Sequence, residues 1–148
     1  MDTYRTLTNA EACFQFACLL IGLKEIPGEI NNPIIVQMFA DIGHKWVQDD
    51  ETSWCACFVN WVLFMNGLKG SGQLDARSFL DVGRIVKEPK IGDIAVLWRE
   101  SLQSWKGHVG FFSGYDKRGN MIILGGNQSN EVNFSAYDKR RILDFVRI

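Results

Sequence analysis

Cys55, His108 and Asn127 are the residues of this chain whose types and order suit covalent chemistry. Cys55 stands in Ser53-Trp54-Cys55-Ala56, where Ser53 is placed to cap a helix running from Trp54 to Asn66. In the first turn of a helix, unpaired amides and the positive end of the dipole favour a thiolate. Taken alone, Cys55 reads equally well as a small apolar core residue. His108 lies in Gly107-His108-Val109-Gly110-Phe111-Phe112, a strand pattern that sends His108, Gly110 and Phe112 to one side. Gly110 would leave a gap beside the imidazole. Asn127 follows Gly125-Gly126 at the end of the next strand, where it can orient a ring or sit as a left-handed turn residue. Together the three supply a nucleophile, a base and an orienting amide, the cysteine form of a catalytic triad.

The other candidates read as structural. Cys57 is two positions beyond Cys55, about 200° round a helix, so it faces away from the Cys55 site. Cys13 and Cys18 fall on the apolar face of the first helix. No CxxC occurs and the two histidines are far apart, so no metal site is expected. His44 ends a helix, where a cation is favoured without any function. Asp49-Asp50-Glu51 is acidic but lacks alternating oxygen ligands, and reads as a solvated turn.

The elements that must position these residues follow from periodicity. Thr8 and Glu11 form a capping box for a helix with Cys13, Phe14, Ala17, Cys18 and Ile21 on one face. Asn32-Pro33 opens a second helix with a stripe of Ile34, Ile35, Met38, Phe39 and Ile42, closed by Gly43. The Trp54–Asn66 helix is apolar nearly all round and belongs in the middle of the molecule. A short helical turn over 76–82 precedes strands over 93–98, 108–113, 121–125 and 141–147. Helices followed by near-neighbour strands predict an α+β fold with an antiparallel sheet.

At 148 residues the chain is the size of one domain, with 47% hydrophobic and 22% charged residues, as in an ordinary folded protein. A net charge of −1 argues against a nucleic-acid binder and against a polybasic membrane anchor. The apolar stretch Cys13–Leu23 is interrupted by Gln15 and is too short to span a bilayer. Lys24-Glu25 follows it in place of a signal-peptide cleavage site. No stable membrane insertion is expected. Synthesis in the cytoplasm without a signal peptide is, and with it four reduced cysteines.

Four segments, in order, resemble the motifs of CHAP domains, the cysteine, histidine-dependent amidohydrolases and peptidases of the papain-like superfold. They are Asp50-Glu51-Thr52-Ser53-Trp54-Cys55-Ala56, Gly92-Asp93-Ile94-Ala95-Val96, Gly107-His108-Val109-Gly110-Phe111 and Gly125-Gly126-Asn127-Gln128-Ser129. The resemblance runs from about Glu25 to the C-terminus and is similar to the small single-domain bacterial and prophage type. It implies one catalytic domain over 1–148 that cleaves an amide bond of peptidoglycan, as a lysin or an antibacterial effector, without a cofactor. Action in the periplasm or on the cell wall is implied, with an export machine or an inhibitor protein as further partners. By motif, Cys55 matches the nucleophile, His108 the base and Asn127 the orienting residue. Many CHAP domains carry a glutamate where this chain has Gly125, which leaves Asn127 as the third member, with Glu131 and Asp93 as fallbacks. Trp46, Trp54, Trp98 and Trp105, with Arg77 and Arg99, are the candidates for a substrate cleft. An acyltransferase using the same residues, and a binding module of the same fold without catalysis, remain open alternatives.

Overall fold

The computed structural model describes residues 5–148. Its elements are helices α1 (Asn9–Cys18), α2 (Pro33–Asp41) and α3 (Cys55–Met65), then strands β1 (Arg84–Val86), β2 (Ile94–Trp98), β3 (Gly107–Tyr115), β4 (Met121–Gln128), β5 (Glu131–Tyr137) and β6 (Ile142–Arg147). A 3-10 turn over Ala76–Asp81 joins the helical half to the strands. The sheet has the order β1-β6-β2-β3-β4-β5 with every pair antiparallel. This is the α+β arrangement that the order of helical and strand-like periodicity predicts.

The helix starts form as their sequences dictate. Thr8 accepts the Glu11 amide while the Glu11 carboxylate reaches back to the Thr8 amide, closing the capping box. Asn32 Oδ1 accepts the Ile34 amide at 2.9 Å, with Pro33 in the first turn where its missing N–H costs nothing. Two apolar positions depart from the expected faces. Ile21 lies beyond the end of α1, and Ile34 points outward in the first turn of α2; both are exposed. Asp50 departs as well. It is fully buried, and its Oδ2 accepts the amides of Ile26 and Asn32 at 2.8 and 2.7 Å. Asp50 is therefore a tie that fixes the chain entering α2, while Asp49 and Glu51 form the expected turn, with Asp49 Oδ1 accepting the Glu51 and Thr52 amides.

Two strands are absent from the periodicity reading. β1 has only three residues, too few for alternation to register, and β5 forms the far edge of the sheet beyond β4. β4 also runs three residues further than expected, through a register break between Gly125 and Gln128.

α3 packs across β3 and β4 in the larger core cluster, where Trp54, Phe58, Val59, Val62 and Leu63 meet Val109, Phe111 and Leu124. The smaller cluster holds Leu97, Phe112, Ile123 and Phe145, with Tyr137 against it. Strand alternation places these residues on the reverse face of the sheet. Asp93, fully buried at the start of β2, takes a two-pronged bond from Arg147 on β6 at 2.9 and 2.8 Å. Planar guanidinium–carboxylate pairing of this kind fixes register between strands.

Among the described residues no helix is long and apolar enough to cross a membrane.

Candidate active site

Cys55 is the first residue of α3, and its neighbours set the chemistry of its sulfur. The N-cap is Trp54, which makes no side-chain capping bond, so Ser53 does not cap the helix as its sequence position suggests. The first bond inside the helix runs from the Phe58 amide to the Trp54 carbonyl at 2.9 Å. The amides of Cys55, Ala56 and Cys57 therefore have no acceptor within the helix, and point positive charge at its start. The Ser53 hydroxyl instead accepts from Asn127 Nδ2 at 3.4 Å and favours the ionised form of the Cys55 thiol.

Burial is the largest single influence on the Cys55 thiol and pushes its pKa up. The hydrogen bond and positive charge of His108, the Val109 amide and the Ser53 hydroxyl act the other way and together outweigh it. The net shift is downward, toward thiolate. The other three cysteines are also free thiols, and burial pushes each of them up, Cys13 to about 11. Only Cys55 is both at a helix start and against an imidazole.

His108, on β3, is buried, and its Nε2 lies 2.9 Å from Oε1 of Gln128. The neighbours of Gln128 decide which way its amide points. Its Nε2 faces Ile123 O at 3.1 Å, Asn133 O at 2.7 Å and Asn133 Oδ1 at 3.0 Å, and the first two of these can only accept. The amide nitrogen is thereby committed to β4 and β5, and Oε1 faces the imidazole. His108 Nε2 must donate to it, which leaves Nδ1 for the sulfur. The Tyr137 hydroxyl donates to the same Oε1 at 3.2 Å, and its ring stacks on His108 at 5.2 Å and 29°. Burial pushes the Tyr137 phenol up to about 12, so it stays a donor.

The structure does not bring Asn127 to this imidazole. Asn127 sits at φ +55°, and its Nδ2 reaches Ser53 Oγ at 3.4 Å. The break in β4–β5 pairing carries Asn127 aside and turns the next side chain, Gln128, onto His108. A Cβ placed on Gly125 would stand 2.7 Å from Gln128 Oε1 and 3.4 Å from His108 Nε2. The Gln128 carboxamide thus occupies the space that a side chain at 125 would enter. The fallbacks are engaged elsewhere, Asp93 by Arg147 and Glu131 by Asn133. Gly110 opens no approach to the ring either, because a Cβ there would strike Ile123 and the β4 backbone. Glycine at 110 lets β4 lie close, and glycine at 126 lets β4 pass over Trp54 and Phe58.

A cleft of about 570 Å³ opens at Cys55, walled by Trp46, Asp75, Arg99, Trp105 and Lys106. Of the residues expected in a substrate cleft, Trp46, Trp105 and Arg99 line it, and Trp54, Trp98 and Arg77 do not. Trp54 is fully buried and donates to Glu25 Oε1 at 2.8 Å. Trp98 donates to the Arg140 carbonyl and lies under the Arg141 guanidinium. Arg77 spends its guanidinium on the carbonyls of Lys106, Leu102 and Ser101 at 2.9, 2.7 and 2.8 Å. It braces the loop that carries Trp105. Among the described residues no group of three or more His, Cys, Asp or Glu side chains is placed to hold a metal ion.

The arrangement of thiol, imidazole and carboxamide can transfer an acyl group through sulfur. No curated protein matches the sequence. Several solved structures share the fold. A Staphylococcus aureus protein described as similar to lipoprotein, NLP/P60 family, aligns over 100% of this chain at 14% identity, TM-score 0.58. A hypothetical invasion protein of Mycobacterium tuberculosis aligns over 94% at 17% identity, TM-score 0.54. This chain spans 45% and 61% of the lengths of those two. RipD of M. tuberculosis, described as a non-catalytic NlpC/p60 domain protein adapted to peptidoglycan binding, aligns over 97% of this chain and 99% of its own length at 17% identity, TM-score 0.54. At such identities the likeness is one of fold, and that fold is papain-like. The family model described as CHAP domain matches residues 47–127, which include both Cys55 and His108 and cover more than half of the sequence. The chain belongs to the CHAP domain family.

Proposed function

We propose that this protein hydrolyses an amide bond of peptidoglycan with Cys55 as nucleophile, His108 as acid and base, and Gln128 as the residue that positions the imidazole. A peptidoglycan-related role follows from the CHAP family and its NlpC/P60-like fold. What supports catalysis is a Cys55 thiol that His108 shifts toward thiolate, with the His108 imidazole itself held by Gln128 at 2.9 Å.

In this reading His108 Nδ1 holds the proton that leaves Cys55. The thiolate attacks the scissile carbonyl, and the tetrahedral oxyanion is stabilised by the Cys55 amide, which has no acceptor within α3. Collapse breaks the C–N bond, and His108 gives its proton to the departing amine, leaving a thioester on Cys55. Water then attacks the thioester as His108 takes its proton, and collapse releases the new carboxylic acid and returns the proton to the Cys55–His108 pair. Gln128 adds no charge. It holds the Nε2–H tautomer so that Nδ1 always faces sulfur. The same chemistry would serve a lysin or an antibacterial effector.

A second reading, wall binding without hydrolysis, is favoured by the description of RipD as non-catalytic. Digestion of purified sacculi in ¹⁸O-water separates the two readings. Hydrolysis places one ¹⁸O in each new carboxyl group, read by mass spectrometry of the released fragments, whereas a binding module leaves the sacculi unlabelled.

A further inference from the structure

Trp46 and Trp105 are 70% and 72% exposed, yet both face the cleft that contains Cys55. Large aromatics left in water within a concave site mark a binding surface, because they contribute little to the core. Trp46 is nonetheless held in place. Its indole Nε1 donates to His44 Nδ1 at 3.3 Å, and the two rings meet edge-on at 6.2 Å and 78°. His44 Nε2 lies 2.8 Å from the Gly72 carbonyl. An indole N–H can only donate and a carbonyl can only accept, so His44 is the neutral Nε2–H tautomer and satisfies both partners. The Gly72 amide in turn donates to Asn60 Oδ1 at 3.1 Å, and Asn60 is buried on α3. The exposed indole is tied through an imidazole and a loop to the helix that carries the nucleophile. Trp105 lies on the 99–106 loop braced by Arg77.

We infer that Trp46 and Trp105 are sugar-binding walls of the substrate cleft, and that His44 is the positioning residue for Trp46. A flat indole face matches the C–H face of a pyranose ring and leaves the ring hydroxyls at the edge, toward water. A pre-positioned platform loses little conformational freedom when the sugar binds. Arg99 on the same wall suits a carboxylate of an attached peptide, while the Lys106 ammonium beside it is paired with Glu100 at 2.7 Å. The inference rests on the peptidoglycan reading for the identity of the sugar, that of the glycan strand, and makes the glycan part of what the site recognises.

The test is calorimetric binding to a Cys55→Ala protein, with a disaccharide-tetrapeptide of the wall and the same tetrapeptide without sugar as ligands. The disaccharide-peptide binds more tightly than the sugar-free peptide. Added Trp46→Ala or His44→Ala weakens the disaccharide-peptide by roughly five- to tenfold and leaves the sugar-free peptide unchanged. His44→Gln, whose amide can both accept and donate, recovers most of the loss. Trp46→Ala removes only an exposed side chain, so it tests the platform even if His44→Ala disturbs the loop. Equal affinity for the two ligands, no binding of either, or an equal loss on both in Trp46→Ala overturns the inference. Binding is read without hydrolysis, so a protein that only binds the wall would still pass. Conversely, hydrolysis of sacculi with no sugar dependence would sink this inference and leave the proposed function standing.

Discussion

Gln128 Oε1 and His108 Nε2 lie 2.9 Å apart in a buried contact, with the Gln128 nitrogen held by Ile123 and Asn133. An imidazole fixed in this way keeps one tautomer and presents Nδ1 to sulfur. Gln128→Ala is expected to lower kcat roughly ten- to a thousandfold while KM changes little, since the lost group orients the base and does not touch substrate. Gln128→Glu is expected to be worse for folding than for chemistry. A carboxylate there would face the Ile123 and Asn133 carbonyls with no proton to give, costing about 1–3 kcal/mol or more. Thermal melts beside steady-state rates separate the two effects, and a Gln128→Ala protein with full kcat would remove Gln128 from the relay.

Asn127 is held at φ +55°, a backbone conformation that asparagine and glycine tolerate. Asn127→Gly is expected to stay folded and within a few-fold of the wild-type rate. Asn127→Ala should cost about 1 kcal/mol of stability through backbone strain. A hundredfold fall in kcat for a folded Asn127→Gly protein would return Asn127 to the chemistry.

The cysteines should separate by pH. Cys55 is shifted downward, so its thiolate persists, and alkylates, at pH values below the ordinary thiol range; its reactivity falls only as acid reprotonates it. Cys13 and Cys57 are shifted upward and stay protonated, and therefore slow, near neutral pH. In His108→Ala the lowering influence of the imidazole is gone while burial remains, so the Cys55 titration must move up. Iodoacetamide labelling across a pH series, mapped by mass spectrometry, reads all four thiols at once. Fast labelling of Cys57 at neutral pH, or an unmoved Cys55 curve in His108→Ala, would contradict this account.

Arg77 braces the 99–106 loop through three carbonyls on one guanidinium. Arg77→Lys offers a point charge in place of the fork and should keep at most part of the brace. Arg77→Ala is expected to speed hydrogen exchange across 99–107 and to raise KM, with kcat nearly unchanged. If exchange in that loop is unaltered and kcat falls instead, Arg77 acts on the substrate directly.

Much of this site was legible in the sequence because its signals are local. A cysteine in a first helical turn and a histidine in an apolar strand are visible in runs of six residues, and the capping box and Asn32-Pro33 start are visible in four. The third member was not legible, because its position depends on pairing. Strand alternation carried through Gly125-Gly126-Asn127 gives Gln128 the wrong face, and only the register break against β5 corrects the phase. The usable sign was the glycine pair followed by an asparagine, a combination that tolerates left-handed backbone and so marks a bulge. β5 itself carries Val132, Phe134 and Ala136 in alternation after the Ser129-Asn130 turn, and that pattern predicts an edge strand once the turn is recognised. Trp54, Trp98 and Arg77 were misplaced for a different reason. Residue type cannot tell an aromatic or a cation that braces the molecule from one that lines its cleft.

The central claim is that Cys55 cuts an amide bond of the wall, and the most direct measurement counts the ends that cutting creates. Purified sacculi are treated with the wild-type protein or with folded Cys55→Ala, and new amino groups and new reducing sugar ends are quantified. The account predicts new amines in proportion to time with the wild type, none with Cys55→Ala, and no new reducing ends with either. New reducing ends would mean glycosidic cleavage. Equal amine release from both proteins, or none from the wild type, would contradict the assignment of Cys55 as the nucleophile of an amidase.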